Sequence, residues 1–176
     1  TEEIYVLKLR EIRFDQRMLS LVLRIGIPAG LESVMYNISN IVIQVFVNNL
    51  GTDTVAAWGT LGKIDAIFWM VINAFAISIT TFVGQNFGAG KMKRVQKGTK
   101  VCLGMALGTA IILSVVLMAG GRVLFGIFTT DPGVVEVGLR MMQIISPTYF
   151  LFVFIEIYSG SLRAQGYVFV TTLMTL

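Results

Sequence analysis

Side chains able to bind or carry charge occur in this chain where water should be scarce. Ser33, Asn37, Asn40, Gln44 and Asn48 recur at steps of four, three, four and four, the spacing that stacks residues along one side of an α-helix. Aligned within an apolar stretch, these groups must meet water or other polar groups. They read as the wall of an aqueous cavity, with hydrogen bonding between helices as the plainer account. A second set, Asp65, Trp69, Asn73 and Thr80, is separated by four, four and seven residues and again shares one face. A carboxylate and an indole so placed suit a cationic, partly aromatic solute, through charge and cation–π attraction. The chemistry expected is binding and passage. Histidine is absent and Cys102 is the only cysteine, so no Ser/His/Asp or Cys/His set, internal disulfide or cysteine-based metal site can form. We expect no enzyme, no cofactor and no metal.

Asp65 needs a partner, water or a neutral state within a bilayer. Counted from Asp53 it lies ~18 Å down its helix, and Arg140, counted from Asp131, ~13 Å down another. The two are matched in depth, and an Asp65–Arg140 ion pair is weighed evenly against a functional proton or cation site at Asp65. Glu136 is a competing local partner for Arg140, four residues away. Lys63 is expected to snorkel outward. Glu32 and Glu156, near Arg24 and Arg163, are read as solvated or locally paired charge.

The elements that must position these groups are membrane helices. The chain is 55% apolar and 14% charged, with mean hydropathy +0.78, a composition of the membrane class. Ala66 to Gly90 is free of charge for 25 residues and Val101 to Gly121 for 21, each enough for a ~30 Å hydrocarbon core at ~1.5 Å per residue. The expected fold is an all-α polytopic transmembrane bundle. Residues 1–18 form a cytoplasmic amphipathic linker helix, and 19–176 hold spans at about 20–50, 54–82, 97–119 and 133–158, with a fifth, 167–176, cut short. Gly120-Gly121-Arg122 and Asp131-Pro132 are read as bracketing a short outer segment. The chain opens on Thr1-Glu2-Glu3 without a methionine and stops at Leu176 inside an apolar run, and it is expected to be a piece of a larger polytopic protein.

The segments assigned to the cytoplasm hold eleven Lys and Arg, and the outer turns hold only Arg122, which fixes the expected orientation in an inner (plasma) membrane with the N-terminal segment cytoplasmic. Nucleic-acid binding is not expected, because the basic residues gather at span ends and not along one face. The Gly-rich turn ending in Lys91 is not a phosphate loop: Gln85 and Met92 stand where glycine and Ser/Thr are needed, and no strand precedes it. Asn37-Ile38-Ser39 matches a glycosylation sequon but lies inside an apolar helix.

Ile27-Pro28-Ala29-Gly30-Leu31, then Asn49-Leu50-Gly51 with Ala56-Ala57, then Phe82-Val83-Gly84-Gln85-Asn86-Phe87-Gly88-Ala89-Gly90-Lys91 with Arg94 resemble the multidrug and toxic compound extrusion family from about Arg17 to Arg163. The loop motif, Gly84, Gln85, Asn86, Gly88, Gly90, Lys91 and Arg94, is its most specific part. The resemblance implies half of a twelve-helix transporter, similar to the second half, exchanging protons or sodium for organic cations by alternating access. Its partners would be membrane lipid, the coupling ion, small organic cations and the missing N-terminal half. The acidic residue usual on the first helix of that family's first half falls here on Ile43, beside Gln44, and the acid of its sodium-coupled members falls near Tyr36. No coupling carboxylate is carried over. The expected cavity residues are Asn37, Asn40, Gln44, Asp65, Trp69 and Asn73. The alternatives are a flippase of lipid-linked sugars, which would want a basic cavity, and a non-transporting membrane assembly module whose polar stripe only joins helices.

Overall fold

The computed structural model describes residues 15–175, and the expected linker helix over 1–18 falls almost wholly outside them. Among the described residues the chain is helical between short turns: α1 (Gln16–Asn48), α2 (Thr52–Gly88), α3 (Met92–Phe128), α4 (Pro132–Ile145), a 3-10 turn (Ser146–Thr148), α5 (Tyr149–Ala164) and α6 (Val168–Thr175). Four spans are long and apolar enough to cross a membrane: α1, α2, α3, and α4 with α5 taken together.

Local chemistry sets the ends. The Asp15 carboxylate accepts from the amides of Arg17 (2.8 Å) and Met18 (3.2 Å) and caps α1. Asp131 does the same for α4 through Gly133 (2.9 Å), with Pro132 in the first turn. Such caps contribute about 1 kcal/mol each. Gly51 (φ +99°) and Gly90 (φ +71°) make the turns before α2 and α3 in the left-handed region that side chains disfavour. Pro147 lacks an amide hydrogen and crowds the carbonyl four residues back, which accounts for the break between α4 and α5.

Two expectations are corrected. Residues 84–88 complete the last turn of α2, and the turn is confined to Ala89, Gly90 and Lys91. The third helix does not stop at Gly120-Gly121-Arg122 but continues to Phe128. Gly121 is buried, and a Cβ there would lie 2.8 Å from Leu139 Cδ2 and 3.0 Å from Met142 Sδ. The glycine admits α4; it does not end α3.

Helix α2 is the hub, packed on α3, α4 and α5. Phe68, Ile72, Ile79 and Val83 of α2 meet Ala106, Ala110, Leu117 and Phe125 of α3, Met142 of α4, and Val153 and Ile157 of α5. Cys102, Ala106 and Ala110 give α3 a small-residue face that lets helices approach closely. Gly160 of α5 lies close against α2, where an added Cβ would sit 2.9 Å from Thr80 Oγ1 and 3.2 Å from the Ala76 carbonyl oxygen. The Thr80 hydroxyl donates to the Ala76 carbonyl (2.7 Å) and lies 3.3 Å from the Gly160 carbonyl, and the hydroxyls of Thr99 and Ser161 are 3.1 Å apart. In α1, by contrast, Val47 alone is buried.

Substitution Gly160→Leu should force α2 and α5 apart and cost about 1–3 kcal/mol, read as a lower melting temperature in detergent. Gly104→Leu, where nothing lies within 4 Å, should leave it unchanged.

Candidate functional site

A cavity of about 720 Å³ opens where α1, α2 and α5 diverge. From α1 it receives Glu32, Tyr36 and Asn37, from α2 Trp69 and Asn73, and from α5 Phe152 and Glu156. Three of the six expected cavity residues, Asn37, Trp69 and Asn73, are therefore brought together. Helical spacing explains it: Glu32, Tyr36 and Asn37 lie on adjoining turns, Trp69 and Asn73 one turn apart, and Phe152 and Glu156 one turn apart.

The aromatic wall is ordered. The Trp69 ring meets Phe152 edge-on at 5.6 Å (77°) and Phe68 at 5.7 Å (86°), arrangements that hold an indole in one orientation. The acidic wall is tied across helices, since Arg163 Nη2 lies 3.7 Å from Glu32 Oε2 and so links α5 to α1. With Glu32 facing a cation, Glu156 is the carboxylate in surplus. The Asn37 side chain donates to the Ser33 carbonyl (2.7 Å), leaving its oxygen free to accept.

Asn40, Gln44 and Asp65 do not line this cavity. Gln44 Nε2 donates to Asn48 Oδ1 (2.8 Å), so part of the α1 stripe satisfies itself along the helix. Asn40 is exposed. Asp65 is half-buried and accepts a hydrogen bond from the Tyr149 hydroxyl. The Tyr149 ring stacks on Phe68 at 4.2 Å (27°), which aims the hydroxyl at the carboxylate.

The ion pair weighed between Asp65 and Arg140 is not formed. Arg140 Nη2 lies 2.7 Å from Glu136 Oε1, one turn away on α4, with both side chains largely exposed at 74% and 69%. A partner at i,i+4 is reached without crossing the bundle, and Asp65 has the nearer tyrosine. Lys63 points outward as expected, with its ammonium 5.4 Å from the Phe128 ring centroid.

In the loop motif Gly84, Gln85, Gly88 and Lys91 are exposed, while Asn86 is buried with its side-chain amide on the Phe82 carbonyl (2.8 Å). The Lys91 amide closes the turn on the Asn86 carbonyl (2.8 Å), and Gly90 supplies the positive φ. These contacts make the motif a built turn. Sequence reasoning passed over Glu32, Glu156, Tyr36 and Phe152 as site residues. Glu156 and Phe152 do fall at i,i+4 on one face, an aromatic and an acid repeating the Asp65–Trp69 pattern, and that was the available signal.

The arrangement offers two carboxylates, a locked indole, further aromatic surface and carboxamide groups around one space. Its chemistry suits a cation that is partly aromatic.

Comparison with known proteins agrees with a membrane bundle of this kind. The chain is similar to the probable multidrug resistance protein YoeA of Bacillus subtilis (strain 168), 25% identical over 95% of the chain and 36% of that protein. It is similar to the probable multidrug resistance protein NorM of Aromatoleum aromaticum, 30% identical over 72% of the chain and 27% of that protein. It also matches the multidrug export protein MepA of Staphylococcus aureus (strain N315), 25% identical over 86% of the chain and 34% of that protein. The chain thus spans about a third of the length of the curated relatives it matches. The family model described as MatE matches residues 28–176, which takes in α2 to α6 and most of α1, and the chain accordingly belongs to the MatE family.

Proposed function

We propose that this chain forms one side of the translocation path of a secondary active multidrug exporter, which moves organic cations outward in exchange for protons or sodium by alternating access. The observation that carries this reading is the 720 Å³ cavity lined by Glu32 and Glu156 together with Trp69 and Phe152. Charge and π-surface side by side attract large cations with low selectivity. The relatives' names, multidrug resistance and multidrug export, support the same class. A flippase of lipid-linked sugars would need positive charge for a pyrophosphate, and the acidic lining argues against it.

In this reading Asn40 and Gln44 continue the polar line of α1 beyond the cavity, where the other half of a longer polypeptide completes the path. Asp65 stands one turn before Trp69 and adds charge along it. The basic loop at Lys91–Lys100 and the N-terminal basic residues face the cytoplasm of a plasma membrane, on the strength of the charge asymmetry.

In the full-length polypeptide, Trp69→Ala should weaken binding of tetraphenylphosphonium about 2- to 30-fold, the range of cation–π contacts from exposed to desolvated. Glu156→Gln should weaken it about tenfold, whereas Glu136→Gln, at the exposed Arg140 pair, should not; equal affinities by calorimetry would remove the cavity from function. Asp65→Asn keeps an acceptor for Tyr149 and should leave the melting temperature within a degree or two. Export by that variant, measured in vesicles under separate proton and sodium gradients, should fall under the gradient that drives the protein. Unchanged export under both would exclude Asp65. Cysteines placed at 37, 44 and 73, in a background with Cys102 replaced, should react with a charged thiol reagent from at least one side; no labelling would leave only the assembly role for the stripe.

A further inference from the structure

A second cavity, of about 700 Å³, lies between α2 and α3 at the end where the Ala89–Lys91 turn joins them. It differs in chemistry from the first. Arg94 and Lys97 stand at its rim, and Phe75, Phe82, Val101 and Met105 form its sides. Residues 94, 97, 101 and 105 recur at the spacing of one helical face, so the groove runs along α3 from basic to apolar. Gly98 makes room for the Phe82 ring: a Cβ there would come within 2.1 Å of Phe82 Cε1.

Two facts define what fits. No Asp or Glu occurs between Ala66 and Thr130, a stretch that contains Lys91, Lys93, Arg94, Lys97 and Lys100, and among the described residues neither Arg94 nor Lys97 has an ion-pair partner. The rim therefore calls for an anion. Below the rim, Val101 and Met105 remain 51% and 54% exposed. From Arg94 to Met105 the helix descends ~16 Å, the depth of one leaflet of a ~30 Å hydrocarbon core. A free anion would leave that apolar depth uncovered, and a cationic solute would be repelled at the rim.

We propose that the α2–α3 groove is a binding site for an anionic glycerophospholipid, its phosphate held by Arg94 and Lys97 and one acyl chain laid along Phe75, Phe82, Val101 and Met105. The site requires only that the bundle sits in a bilayer, so it stands or falls separately from the export reading. Each rim charge should contribute about fivefold to the preference for an anionic headgroup.

The test uses the full-length polypeptide in detergent with phosphatidylglycerol or phosphatidylcholine added, bound lipids being counted by native mass spectrometry. The wild type should retain phosphatidylglycerol in preference to phosphatidylcholine. The double variant Arg94→Gln/Lys97→Gln should lose that preference about 20-fold, and Lys91→Gln/Lys93→Gln, equal in charge but outside the groove, should keep it. Ser78→Trp, which fills the groove and leaves every charge in place, should also abolish retention. A photo-crosslinking residue at position 101 should capture lipid. Equal loss in both double variants, equal retention of the two lipids, retention by Ser78→Trp, or capture of another protein segment from position 101 would each overturn the proposal.

Discussion

Hydrocarbon offers no hydrogen bonds to a peptide group, and the shape of this protein follows from that constraint. Each span must satisfy its amides internally, and the chain answers with three helices of 33, 37 and 37 residues, the first of them carrying Pro28 in its interior. The fourth span is interrupted by the turn at Ser146–Thr148. It is tolerated because it is enclosed by protein: Ser146 is buried, its amide still donates to the Met142 carbonyl, and its carbonyl accepts from the Ser114 hydroxyl at 3.3 Å. The break also places Tyr149 at the head of α5, where its hydroxyl reaches Asp65 and its ring reaches Phe68. An interruption forced by Pro147 thus becomes the means of settling a carboxylate inside the bundle.

Contact among helices is uneven, and the unevenness separates two kinds of surface. Small residues and hydroxyls draw α2, α3 and α5 into close register, as at Gly160 with Thr80 and at Thr99 with Ser161. Where helices diverge instead, spaces open, and their linings differ in sign. The space beside α1 is acidic and aromatic; that between α2 and α3 is basic at the rim and apolar beneath. Net charge averaged over the chain hides this division between the Glu32 and Glu156 lining of one space and the Arg94 and Lys97 rim of the other.

Much of the architecture was legible in the sequence, because span length, charge-free runs and the basic loop follow from solvent alone. The polar faces of α1 and α2 were legible from spacing, and three of their residues do meet in one cavity. What sequence could not fix was which neighbour each face would meet. Glu32 and Glu156 looked like end-of-span charges, since nothing local reveals that Arg163 reaches across to Glu32 while Glu156 turns inward. Asp65 and Arg140 matched in depth, but depth says nothing of the angle around the bundle, and Glu136 and Tyr149 were closer. Gly120-Gly121 was ambiguous for a like reason: the same absence of a side chain serves a turn or a tight crossing, and only the position of Leu139 and Met142 decides between them.

The bareness of α1 bears on how such a protein is made. It precedes α2 in synthesis, yet with Val47 alone buried it gains little from α2 to α6. Its most apolar 18-residue stretch has a mean hydropathy of 1.5, enough in length and composition for a membrane span. On leaving the translocon it would carry its asparagines and glutamine past α2 and α3 largely uncovered, so that polar groups, more than buried apolar surface, are what it has to offer a neighbouring helix.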